Sequence, residues 1–106
     1  MSNKVNITAG EYEATGYESI TVADTAVSLS AGTYTQSDGS IAKKATITVE
    51  TGQIRWRYDG TAPTSSEGHL SNPTNVIVIK GSINIQNFRA IRATSTSGTI
   101  RVTYED

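Results

Sequence analysis

The larger aliphatic side chains of this sequence are nearly all β-branched, with eleven Ile and seven Val against two Leu and one Met, and sixteen Thr beside them. Such side chains lose χ1 freedom against the turns of a helix but fit the pleated surface of a sheet. No long stretch repeats apolar residues at i, i+3, i+4 and i+7, so little or no helix is expected. Nine Gly, with frequent Asn, Asp and Ser, cut the chain into short pieces. Strands at roughly 8 to 12 residue spacing with turn signals between them read as a sandwich or small barrel. The expected fold is all-β, an antiparallel β-sandwich of about eight strands with the jelly roll as its candidate topology.

At 106 residues the chain has room for one packed core. Apolar residues including Gly number 42, or about 40%, below the usual 45 to 50%, so that core is thin. Nine Lys and Arg against ten Asp and Glu leave a net charge of -1. That balance argues against nucleic acid or an anionic membrane as a partner. The absence of Cys removes disulfides, thiolate metal sites and a Cys nucleophile, and fits synthesis in a reducing cytoplasm. No apolar run approaches the ~20 residues of a membrane span, and MSNKVNITAG lacks the apolar centre of a signal peptide. Residues 1–13 are polar and read as an N-terminal arm, leaving residues 14–106 as the single sandwich domain.

Alternation then locates the strands. Tyr17 to Ala23 sets Glu18, Ile20 and Val22 against Tyr17, Ser19 and Thr21; Ala26 to Ser30 follows with Val27 and Leu29 on one face. Ala31 to Ser40 reads as a loop or loose hairpin. Ala45, Ile47 and Val49 alternate with polar residues, and Thr51-Gly52 leads into Ile54, Trp56 and Tyr58, the strongest hairpin signal in the chain. Gly60 to Asn75 reads as a long surface loop, a length that usually serves a function. Val76 to Lys80 is a continuous strand, Ile83 and Ile85 suggest another short piece, and residues 88–94 and 99–105 form a final pair with Ile100, Val102 and Tyr104 facing in.

No catalytic constellation emerges. His69 is the only His and sits in the long loop beside Gly68, where solvent exposure or loop pinning outweighs catalysis as its role. Without Cys, a His-based zinc site lacks partners, and no D-x-D-x-D-G spacing marks a calcium loop. No cofactor is expected. Trp56 and Phe88, each unique, read as the large plugs of the core, with Trp56 pointing inward. Asp59-Gly60-Thr61 reads as an Asx-type turn. All five Arg lie after residue 50, where 6 cations meet 4 anions for a charge of +2, while residues 1–50 carry 3 against 6 for -3. Arg55 and Arg57 must share the strand face opposite Trp56, so they form either a solvated face or a patch for carboxylates of a protein partner.

From Ile54 to Tyr104 the chain reads IRWRYDGTAPTSSEGHL, then INIQNFRAIRATSTSGTIRVTYED after Gly81. This half resembles a group of small phage virion-associated proteins that share I-R-x-R-x-D-G-T-x-P-T-x-x-x-G-H, then F-R-A-I-R and a closing V-T-Y. The resemblance implies a structural protein of a tailed phage particle made in the host cytoplasm, most concretely a capsid decoration (cement) protein, with a head-to-tail or tail-associated role as the variant. Its partners would be the major capsid protein or other virion proteins, with self-association as a further possibility. With no catalytic set in the sequence, the mechanism expected is binding alone, with Arg55, Arg57, Arg89 and Arg92 pairing with acidic groups of the shell and His69 in the long loop. Tyr58-Asp59-Gly60-Thr61-Ala62-Pro63-Thr64 is also similar to a strand-to-loop turn in accessory β-sandwich domains of glycoside hydrolases. That likeness implies a carbohydrate-binding module with exposed rings among Tyr12, Tyr17, Tyr34 and Trp56.

Overall fold

The alternation of β-branched and polar residues is realised as burial on one side of each strand. In a computed structural model, which describes residues 12–106, Ala45, Ile47 and Val49 are wholly buried, as are Ile100, Val102 and Tyr104. Each such Ile or Val contributes about 1.5 to 3 kcal/mol by leaving water. In chain order the elements are β1 (Ala14–Val22), β2 (Val27–Ser28), α1 (Ala31–Tyr34), β3 (Lys44–Thr51), β4 (Ile54–Arg57) and β5 (His69–Ser71). They are followed by β6 (Val76–Lys80), α2 (Ser82–Asn87), β7 (Arg89–Arg92) and β8 (Gly98–Glu105).

These strands make two four-stranded antiparallel sheets, ordered β1-β8-β3-β6 and β2-β7-β4-β5, with the core between them. Strand pairs β1 with β8, β2 with β7, β3 with β6 and β4 with β5 describe one long ribbon, folded back at β4–β5 and rolled so that its rungs fall in different sheets. That is the wrapping of a jelly roll. The ribbon continues past β1, since Glu13 and Asp106 exchange backbone hydrogen bonds of 3.0 and 2.9 Å. The rest of the polar arm expected over residues 1–13 lies outside the described residues, apart from Tyr12, whose ring lies under the Lys44 ammonium.

Both expected hairpins are corrected. β3 and β4 lie in different sheets, and so do β7 and β8, so Thr51-Gly52 and Ser95 to Gly98 carry the chain across the sandwich. Alternation fixes which face of a strand is buried but not which strand lies beside it, and a crossing strand presents its inner face to the same core. The crossings pack against each other, with no room for a Cβ at either Gly52 or Gly98.

Three local expectations also change. Ile83 and Ile85 belong to a helix: Ile85 and Phe88, three residues apart, are buried while Ile83 is 64% exposed. Within the long loop, residues 69–71 add an edge strand to β4. The count of eight strands therefore stands with one piece exchanged for another. Ala31–Tyr34 forms a helical turn that places Tyr34 edge-on to Tyr104, with ring centroids 6.0 Å apart. On the inner side of β1, Glu18 is the polar exception: it accepts hydrogen bonds from the Tyr104 hydroxyl and from the Ser30 amide. Burial, then this hydrogen bond, pushes the Tyr104 phenol far above its ordinary value.

Candidate functional site

The outer side of the second sheet carries the arginines. In β7, Ala90 is buried, which turns Arg89 and Ile91 outward; β4 likewise turns Arg55 and Arg57 away from buried Ile54. Register sets Arg57 opposite Arg89 and Arg55 opposite Ile91 on one side and Leu70 on the other. Leu70 is 45% exposed. The expected sharing of a face by Arg55 and Arg57 is therefore met, and Arg89 joins it.

The three guanidiniums are not equivalent. Arg55 donates to the carbonyls of Ser65 (3.3 Å) and Gly68 (3.0 Å), which ties the long loop down over the sheet. Arg57 makes a two-point pair with Asp59, Nε to Oδ1 at 3.1 Å and Nη2 to Oδ2 at 2.5 Å. Asp59 also accepts from the Thr61 amide at 3.2 Å, the Asx device read from the sequence. The guanidinium first, then this amide, holds the Asp59 carboxyl down to about 2. Arg89 has no ion pair among the described residues.

Arg92 does not join them. Its place in β7 has the parity of Ala90, at the far end of the strand, where it lines a groove of about 440 Å³ with Asp24, Thr94 and Ser95. Its guanidinium lies 3.4 Å from the Ser97 hydroxyl.

His69 is brought instead to the open end of the sandwich. It pairs with Trp56 across β4–β5 on the inner face, with ring centroids 4.7 Å apart. Trp56 is half-buried and stacks on Phe88 at 5.7 Å, while its indole N–H donates to the buried Ser71 hydroxyl at 3.0 Å. Its inward orientation holds, but only Phe88 is a complete plug. Tyr58, one residue past the end of β4, stays beside Trp56 but stands 42% exposed, its ring 5.9 Å from that of Trp56. Around these rings opens a cleft of about 290 Å³ lined by Arg57, Tyr58, Asp59, His69 and Asn84. Asn84 comes from α2, and its amide Nδ2 donates to the Lys80 carbonyl at 2.8 Å, which leaves its Oδ1 toward other donors. Sequence reading missed Tyr58 and Asn84; the end of the alternation at Asp59-Gly60 was the available signal for Tyr58.

Of the rings named for a glycan surface, Tyr34 is buried and Tyr17, though exposed, lies on the Thr-rich outer face of the first sheet, where it accepts a hydrogen bond from Arg101 at 3.1 Å. Among the described residues no group of three or more His, Asp or Glu could hold a metal ion, and no helix is long and apolar enough to cross a membrane. The chain matches no family model, no curated protein and no solved structure.

Proposed function

We propose that this chain acts by binding, as a structural protein of a tailed phage particle, most concretely a capsid decoration protein docked on the assembled shell. The phage assignment rests on the sequence pattern from Ile54 to Tyr104. The observation that carries a docking role is the facing pair Arg57 and Arg89, in which Asp59 pairs with Arg57 and Arg89 has no ion pair among the described residues, with exposed Leu70 and half-buried Ile91 on the same face. Like charges directly opposite each other cost stability in a sheet. A carboxylate from a shell protein relieves that cost, and Arg offers it a planar two-point contact. The apolar neighbours supply burial at the centre of such a contact.

The test is the particle. Mass spectrometry of purified virions is expected to find the chain at a copy number comparable with the major shell subunit, and Arg89→Glu is expected to abolish rebinding to particles stripped of it. A copy number that fits one ring assigns it to the neck or tail instead. Absence from the particle overturns the proposal.

A further inference from the structure

We propose that the cleft at the open end of the sandwich is a binding site for one pyranose ring of a neutral saccharide, with the Tyr58 ring as its stacking surface. This goes beyond the docking role: the cleft shares Arg57 and Asp59 with that face at its rim, but it is centred on Tyr58 and His69, does not include Arg89 and needs no particle.

Four observations carry it. First, Tyr58 is held rather than free: Trp56 lies beside it, is itself stacked on buried Phe88, and is fixed by the hydrogen bond to Ser71. A ring held in this way loses little freedom on binding, which is the condition for an effective apolar contact. Second, the rim carries donors and acceptors of both kinds within one small volume: the Asp59 carboxylate, the Arg57 guanidinium, the Asn84 carbonyl and the His69 imidazole. Vicinal hydroxyls need such mixed partners, since each both donates and accepts.

Third, the charges disfavour an anion. Arg57 and Asp59 neutralise each other at the rim, and Glu67 lines the adjoining hollow with them and His69. A phosphate or carboxylate would meet Asp59 and Glu67, and the Arg57 guanidinium that could hold it is already paired with Asp59, so the site favours a ligand without negative charge. Fourth, size selects a single ring. About 290 Å³ lies at the small end of the ~300 to 1,000 Å³ found for small-molecule sites. One ring with an apolar C–H face toward Tyr58 and hydroxyls toward the rim satisfies both chemistries. A planar nucleobase gains most between two parallel ring faces or along a row of them; here Tyr58 is the one large exposed ring of the cleft, and the smaller exposed ring, His69, is tilted against Trp56.

The experiment is a titration of the intact chain, followed by two-dimensional NMR and by Trp fluorescence, with methyl glycosides of glucose, galactose, mannose and N-acetylglucosamine, and with adenosine as the planar control. At least one glycoside is expected to shift the Trp56 indole and His69 signals and to change the emission of Trp56, the sole Trp. Tyr58→Ala is expected to weaken that binding about tenfold, and Tyr58→Trp to restore it. Tyr58 lies outside the strands and is exposed, so both variants keep the fold. Arg89→Glu is expected to bind the glycoside as well as the parent chain, which separates this site from the docking face. The proposal is overturned if all four glycosides leave Trp56 and His69 unmoved, if adenosine alone moves them, or if Tyr58→Ala binds as the parent does.

Discussion

Gly52 and Gly98 touch back to back where the chain twice passes from one sheet to the other. A Cβ on Gly98 would lie 2.6 Å from the Thr51 carbonyl oxygen, and one on Gly52 would lie 2.7 Å from the Gly98 Cα. Gly52 also has a φ of 74°. Gly98 has no such backbone demand, so Gly98→Ala tests the close approach alone. It is expected to destabilise the domain by about 1 to 3 kcal/mol, as overpacking does. Urea unfolding should show a lower midpoint at unchanged slope. Gly32→Ala, with nothing within 4 Å of the added carbon, is expected to be close to neutral.

Thr74 carries a φ of 78°, a conformation costly for a β-branched residue. It follows Pro73 in a turn closed by the Asn75 amide on the Asn72 carbonyl at 3.0 Å. Pro at the second position and positive φ at the third are the marks of a type II turn, which favours Gly there. Thr74→Gly is therefore expected to stabilise the fold by about 1 kcal/mol after its greater unfolded-state entropy is counted. A raised melting temperature would check it.

The Tyr104 phenol, buried and donating to Glu18, keeps its proton in the folded state to a higher pH than in the unfolded chain. Its contribution is fully present below the unfolded value of about 10 and is lost as the pH rises above it. Stability measured in urea is expected to fall above that pH, and the fall should be smaller in Tyr104→Phe. At neutral pH the same variant should cost about 1 kcal/mol through the lost hydrogen bond.

For Asp59 the sign is opposite. Its carboxyl is held down to about 2 by Arg57, against 3.8 ordinarily, so the pair favours the folded state above about pH 4 and that contribution is lost as pH falls toward 2. Carboxyl ¹³C shifts recorded through acid titration should place Asp59 below the exposed carboxylates, and Arg57→Gln should return it toward 3.8.

Burial was more legible in the sequence than pairing. Ala45, Ile47, Val49, Ile100, Val102 and Tyr104 point inward as their alternation requires, because the period of two is a property of the strand itself. Which strand lies beside β3 or β8 depends on residues distant in the chain, so turn signals at Gly52 and Gly98 suggested hairpins where the chain crosses over. His69–Ser71 is too short to show a period, and Ile83 and Ile85 mimic one inside a helix that in fact buries Ile85 and Phe88. The surface divides in the same way. Alternation alone puts Arg55 and Arg57 on one face, but the separation of Arg92 from Arg89 and the meeting of His69, Trp56 and Tyr58 follow from register and from the point where β4 stops.

Because the strands pair from the middle of the chain outward, the molecule has an order in which it can assemble. β4 with β5 closes the shortest loop, and β1 with β8 joins segments from opposite ends of the chain, the costliest closure in entropy. Zipping from the bend toward the ends lets each rung shorten the loop for the next, at the unhurried millisecond-to-second pace of sheets built from distant pairings. Ile54→Val is then expected to slow refolding, whereas Ile20→Val should leave the refolding rate alone and hasten unfolding. A chevron for each would read the direction in which the ribbon closes.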